Sequence, residues 1–322
     1  MRSTEAHASA TTAINVASRP SSSGDIHVLP RRARSVVHEL VTLLRPHHWV
    51  KNIFVLVPLL LTPTALSWGA IGSALLGVVA FCAIASAVYV MNDYMDREAD
   101  RNHPEKRYRP LAAGTVPAPL ALSIMGLLLL GGFAIASSLA INFVFLLGTY
   151  FLLNVGYSLG LKRIPIVDVM IITLGFVLRV EAGASLIGVA TTEWITIMTG
   201  LLALLLALGK RRDDVINSMD ASHRSSLVGY NRPFLDNAMT AVLGALLVTY
   251  IIYTTDQSVA ARMHSDYLFY TTPFVAAGIM RYLQILFVER RGSDPTDVVL
   301  GDRVLQGTIL GWALCFGILL YA

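Results

Sequence analysis

Charge is scarce in this chain. Only 14% of its 322 residues are Asp, Glu, Lys or Arg, against 55% hydrophobic. Apolar stretches of about twenty residues recur along most of the chain, which a soluble domain does not sustain and a polytopic helical membrane protein requires. Cysteine is scarcer still: the two present, Cys82 and Cys315, both fall inside apolar runs. That excludes a disulfide framework and leaves them as small buried hydrophobes, because a metal site needs more ligands at closer spacing. No basic domain or aromatic–basic module stands apart from the apolar runs. The pI near 9.1 and net charge of +4 therefore belong to loops and anionic ligands, and nucleic-acid binding is excluded. The first forty residues hold no apolar run, so they are not read as a signal peptide.

What the chain does have is nine apolar segments, near 48–66, 69–92, 118–137, 140–160, 165–188, 194–210, 235–254, 268–288 and 303–321. Pro58 and Pro63 interrupt the first, which a bundle accommodates. Of the 25 Lys and Arg residues, 22 fall in the amino-terminal approach or in the loops after spans two, four, six and eight; Arg262 alone sits in a loop of the opposite face. By the positive-inside rule the amino terminus is cytoplasmic. The expected fold is an all-α integral membrane bundle of nine transmembrane helices over residues 43–322. Residues 1–42, rich in Ser, Ala, Thr and Arg, form a disordered cytoplasmic arm. Trp49, Trp68 and Trp194 fall at span starts like interfacial anchors, whereas Trp312 does not.

Against that background "NDYMDREADRNHPEKRYRP", residues 92–110, packs acids and bases at a membrane edge. Asn92, Asp96 and Asp100 are spaced i, i+4, i+8, so a helix continuing past the membrane lines them on one stripe, each about 6 Å above the last. Asp93 and Glu98 point off it. Such a stripe repels itself unless cations lie between, and Mg²⁺ suits it, being held by one or two carboxylates plus substrate phosphates. Arg97, Arg101, Lys106, Arg107 and Arg109 crowd the same loop, with Pro104 and Pro110 fixing its course. Metal on carboxylates and cations on phosphate oxygens together stabilise a leaving diphosphate.

Other ionisable groups reach the same face. The loop after span four carries Tyr157, Lys162 and Arg163, and "GKRRDDVINSMD" after span six carries Lys210, Arg211, Arg212, Asp213, Asp214 and Asp220. Span five holds Asp168, Arg179 and Glu181. Intramembrane charges are functional candidates, yet Arg179 reads equally as the structural partner of Asp168 or Glu181. "RPHHWVKN" sets Arg45, His47, His48 and Lys51 at the first span, and Asp294, Asp297 and Asp302 cluster with Arg290, Arg291 and Arg303 without a clear stripe.

Nine spans with Asn92-Asp93-x-x-Asp96-x-x-x-Asp100 resemble the UbiA superfamily of intramembrane prenyltransferases, whose first aspartate motif is NDxxDxxxD. Within it, "RPHHWVKN", "NDYMDREADRNHPEKRYRPLAAG", "YSLGLK", "GKRR" and "DPTDVVLGDRVLQ" are similar in style to decaprenyl-phosphate phosphoribosyltransferases. The resemblance implies a bacterial inner-membrane enzyme with a cytoplasm-facing site, taking 5-phosphoribosyl 1-diphosphate as donor and a polyprenyl phosphate as acceptor. It implies Mg²⁺ and diphosphate on Asn92, Asp96 and Asp100, with Asp214 where the second acidic motif begins. The second motif departs from the prenyltransferase pattern, since Asp213 and Asp214 are followed next by Asp220 and no DxxxD occurs.

A phosphoribosyl donor and a lipid phosphate bring more anions than an isoprenyl diphosphate, and Lys106, Arg107, Arg109, Lys162, Lys210 and Arg211 match them. Asp96, Asp100, Lys162 and Tyr157 are the expected catalytic groups, and Lys51 or Arg45 the lipid-phosphate contact. The resemblance extends to arabinose-donor synthesis for cell-envelope glycans and to rhizobial nodulation proteins serving arabinosylation of a signal. An aromatic prenyltransferase of the same fold and a transporter of an anionic lipid or metabolite are the competing readings. Oligomeric state is not fixed by the sequence.

Overall fold

The computed structural model describes residues 35–217, 229–289 and 295–321, and every regular element among them is helical. In chain order these are α1 (Val36–Leu44), α2 (Val57–Leu60), α3 (Trp68–Arg101), α4 (Pro110–Ala113), α5 (Ala118–Leu139), α6 (Ile141–Leu159), α7 (Val167–Leu186), α8 (Glu193–Asn217), α9 (Arg232–Thr255), α10 (Gln257–Met263), α11 (Thr272–Phe287), α12 (Pro295–Gly301) and α13 (Arg303–Tyr321). Seven of them, α3, α5 to α9 and α13, are long and apolar enough to cross a membrane.

The other two of the nine expected spans, the first and the eighth, are not continuous helices of that length. Pro46–Leu56 winds as a 3₁₀-helix and passes into the four-residue α2, with Pro58 in its first turn. Proline has no amide hydrogen, so it breaks the regular ladder there. At the 3₁₀ and α rises this stretch still measures about 28 Å, close to a hydrocarbon core. The eighth span likewise joins a 3₁₀ turn, Leu268–Thr271, to α11.

Residues 36–42, assigned from sequence to the arm, are helical in α1. The Ser35 hydroxyl caps it by accepting the His38 amide at 3.2 Å, and Leu43 is fully buried beneath it, so a cap and an inward apolar face outweigh the β-branched run at its start. The rest of the arm lies outside the described residues, as do Asp220, Arg290, Arg291, Asp294 and the side chain of Asp297.

The 34-residue α3 organises the bundle. It starts from the Ser67 cap, whose hydroxyl accepts the Ala70 amide, and no glycine or proline interrupts it from Val78 to Arg101. At 1.5 Å per residue it is about 51 Å long, so its last turns leave the bilayer. It packs on α5, α6 and α7; α8 lies between α7 and α9, and α11 pairs with α13. Phe81, Ile84, Phe143, Leu147 and Tyr150 form one core. Val169, Leu208, Leu235, Met239 and Ile285 form another. α7 approaches the Pro46–Leu56 segment so closely that a Cβ on Gly183 would lie 1.9 Å from the Val55 carbonyl oxygen, leaving only glycine there.

Candidate active site at the charged end of the bundle

The carboxyl end of α3 carries the acidic stripe, as the i, i+4 spacing requires. Lys162, in the turn after α6, points its Nζ at both carboxylate oxygens of Asp96 (2.7 and 2.6 Å) and at Asn92 Oδ1 (3.2 Å). Three hard oxygens from two side chains therefore converge on one cation. Asp100 is turned elsewhere: it is buried, and its Oδ2 accepts from Arg109 at 2.7 Å. The same Arg109 nitrogen reaches Asp93 Oδ1 at 3.1 Å, which also accepts from Arg45 at 2.6 Å. Asp93, off the stripe as expected, thus ties the end of α1 to the loop after α3. Arg45 makes this contact from a left-handed backbone (φ 53°) that ends α1.

The expected triad of Asn92, Asp96 and Asp100 is brought together only in its first two members. Among the described residues no group of three or more His, Cys, Asp or Glu side chains is disposed to hold a metal. Asn92 and Asp96 do fit the magnesium chemistry expected of them, because their oxygens already gather around an ammonium and magnesium commonly takes one or two carboxylates with substrate oxygens completing its shell.

Around this cradle, Lys106 and Arg107 lie in a 3₁₀ turn whose amides lean on His103, and Arg107 stacks over Tyr108 at 4.8 Å while donating to its hydroxyl. His48 packs against the His47 ring at 4.2 Å and lies within electrostatic reach of Lys51, Arg45 and Lys210, which brings the 46–56 segment and α8 to the same end of the bundle. Lys210 is exposed.

Arg211 behaves differently from the phosphate contact expected of it. Its side chain is 1% exposed, pairing through Nε with Asp168 at 2.6 Å and through a terminal nitrogen with Asp214 at 2.8 Å. Tyr157 lies within electrostatic reach of the same guanidinium. Tyr230, which sequence reasoning missed, donates to the other Asp168 oxygen at 2.7 Å and accepts the Ile166 amide at 2.6 Å. Burial and that bond to Asp168 push the Tyr230 phenol up to about 12. The cluster ties the ends of α7, α8 and α9 together. An aromatic just before a helix cap at Asn231 was the only local hint of it.

Arg179 has neither of the partners weighed from sequence. Asp168 belongs to Arg211, and Glu181 accepts from Thr191 and Thr196. Arg179 instead donates to Asn52, Tyr150 and the Gly175 carbonyl and lies over the rings of Tyr150, Phe81 and Phe176. Trp312 donates to the Tyr250 hydroxyl at 2.7 Å and stacks on Phe316, a packing role rather than an interfacial one. A groove lined by Asn142, Phe145, Glu181 and Thr191 lies at the far ends of α6 and α7. It is about 25 Å along α6 from Lys162, well away from the acidic stripe.

The UbiA prenyltransferase family model matches residues 52–300. Decaprenyl-phosphate phosphoribosyltransferase of Corynebacterium glutamicum is 31% identical over 299 residues, covering 89% of this chain and 88% of that protein. The enzyme of the same name from Mycolicibacterium smegmatis is 31% identical over 301 residues, with 89% and 94% covered. Among solved structures, a UbiA homolog from Archaeoglobus fulgidus bound to GPP and Mg²⁺ aligns with a TM-score of 0.66 at 18% identity, covering 87% of this chain and 98% of that one.

Proposed function

The chain belongs to the UbiA prenyltransferase family, and from that premise we propose that it moves 5-phosphoribose from 5-phosphoribosyl 1-diphosphate to a polyprenyl phosphate, releasing diphosphate. The observation that carries the reading is the convergence of Asn92 and Asp96 oxygens on one cation. The names borne by relatives covering nine-tenths of the chain support the choice of donor and acceptor.

Asn92 and Asp96 would hold Mg²⁺, which when bound supplies Lewis-acid neutralisation of the departing diphosphate. Lys162, freed to turn toward phosphate, balances the same charge. Arg109 spends one nitrogen on Asp93 and Asp100, which leaves its other donors for phosphate oxygens, with Lys106 and Arg107 beside it. The ribose C1–O bond breaks with its electron pair leaving on diphosphate, and positive charge builds at C1 as in glycosyl transfer. An oxygen of the lipid phosphate then bonds to C1. That phosphate is already ionised at neutral pH, so no general base is needed. Arg45, Lys51 and Lys210, all within electrostatic reach of His48, receive the lipid head group. The Lys/Arg distribution supports a cytoplasmic side of a bacterial inner membrane for this end of the bundle. The product serves arabinose-donor synthesis, for envelope glycans or for a nodulation signal.

The test uses purified protein in detergent with Mg²⁺, labelled phosphoribosyl diphosphate and decaprenyl phosphate, beside an Asp96→Ala control. Label entering the lipid phase with wild type alone supports the assignment. No transfer, together with turnover of an isoprenyl diphosphate and an aromatic acid, sinks it in favour of aromatic prenyl transfer.

A further inference from the structure

One turn below the cradle, Tyr89 extends the stripe into the bundle. It precedes Asp96 by seven residues, two helical turns, and so shares its face of α3. Side chains on a helix lean toward its amino end, which aims the phenol away from Asp96 and into the membrane-embedded interior. Its ring is held from above: the Arg45 guanidinium lies 5.1 Å from the centroid and the His48 ring 5.3 Å. Arg45 is in turn fixed by Asp93, so the motif that carries the cradle also clamps this ring. The Tyr89 hydroxyl has no hydrogen-bond partner among the described residues, and the residue is half-buried rather than sealed in the core. Tyr150, Arg179 and Cys82 are within its electrostatic reach. Beneath them Arg179 is held by Asn52 and Tyr150.

The floor under the diphosphate cradle is thus polar and offers a hydroxyl without a partner among the described residues. An isoprenyl chain lodged there would bury that phenol unpaired beside a guanidinium, an unfavourable arrangement in a membrane-embedded interior. A pentose presents hydroxyls at the distance where an isoprenyl donor presents methylenes. Resting on the reading above, we propose that Tyr89 hydrogen-bonds a ring hydroxyl of the donor's ribose and selects a sugar over an isoprenyl group at this site.

Tyr89→Phe removes only the hydroxyl, which bonds to none of the described residues, so folding is preserved. The experiment measures kcat/KM for phosphoribosyl diphosphate and for its 2-deoxy and 3-deoxy analogues with wild type and Y89F, alongside inhibition by inorganic diphosphate. The expected result is a fall of about tenfold for Y89F with the natural donor. No further fall should occur with the analogue lacking the contacted hydroxyl, and inhibition by diphosphate should be unchanged. Equal kinetics of the two proteins, or a fall of the same size with all three donors, overturns the role of Tyr89 while leaving the donor assignment intact. Wild type that turns over geranyl diphosphate and not phosphoribosyl diphosphate overturns the donor assignment and, with it, this inference.

Discussion

Lys162 Nζ lies 2.6 Å from one carboxylate oxygen of Asp96 and 2.7 Å from the other, across 66 residues of sequence. The pair joins the turn after α6 to the end of α3, and in the proposed reaction it sets a cation beside the departing diphosphate. Asp96→Ala is expected to lower kcat/KM by about a hundredfold or more, in line with losing an electrostatic partner of a developing charge. Lys162→Met should lose a comparable factor while remaining folded, because its head is partly exposed. Steady-state kinetics with size-exclusion profiles as a folding check would read both, and wild-type turnover by either variant would refute the assignment.

Asp168 and Arg211 form a pair sealed from solvent, 0% and 1% exposed. Removing one partner of such a pair costs about 3–5 kcal/mol. Arg211→Met should be the more damaging change, since it strands a carboxylate on the Tyr230 hydroxyl alone. Asp168→Asn leaves Arg211 its bond to Asp214. Thermal unfolding in detergent should rank them in that order, and equal melting temperatures for all three proteins would contradict it.

Gly183 faces the Val55 carbonyl with no room for a side chain. Gly183→Ala is expected to push α7 off the 46–56 segment and to destabilise by about 1–3 kcal/mol. Gly148→Ala, where nothing lies within 4 Å, serves as the tolerated counterpart. A melting temperature for G183A matching that of G148A would show that the contact yields freely.

Asp302 is held by Arg281, whose guanidinium pulls its carboxyl down to about 2. A carboxyl depressed on folding contributes stability that is fully present above its unfolded value near 4 and is lost as pH falls through its folded value. The stability difference between wild type and Asp302→Asn should therefore narrow as pH drops from about 4 to 2. Melting curves taken over that window test it, and a gap that stays constant would mean the pairing does not form.

Much of this architecture is legible locally. Seven spans announce themselves by unbroken hydropathy, and the stripe by its i, i+4 spacing, because both depend only on neighbours along one helix. The composite first span follows from Pro58 and Pro63, though not its 3₁₀ winding. What escaped is pairing across the bundle. Arg211 looks like a surface phosphate ligand until α7 brings Asp168 beside it, 43 residues away, and Asp100 looks like a metal ligand until Arg109 folds back onto it. Arg179 escaped for another reason: its partners, Asn52, Tyr150 and a carbonyl, are neutral, so no search for opposite charge finds them.

The overhang of α3 sets a height gauge. A helix of about 51 Å through a hydrocarbon layer of about 30 Å carries Asn92 and Asp96 on a rigid post at a fixed level near the bilayer surface. Whatever approaches them is met by its head group, at the level where every polyprenyl phosphate presents the same one. The post measures depth and is blind to tail length, so acceptors with shorter and longer tails should be phosphoribosylated at similar rates. Side-by-side assays across a series of such lipids would test this, and a steep dependence on tail length would show that the tail is read elsewhere in the bundle.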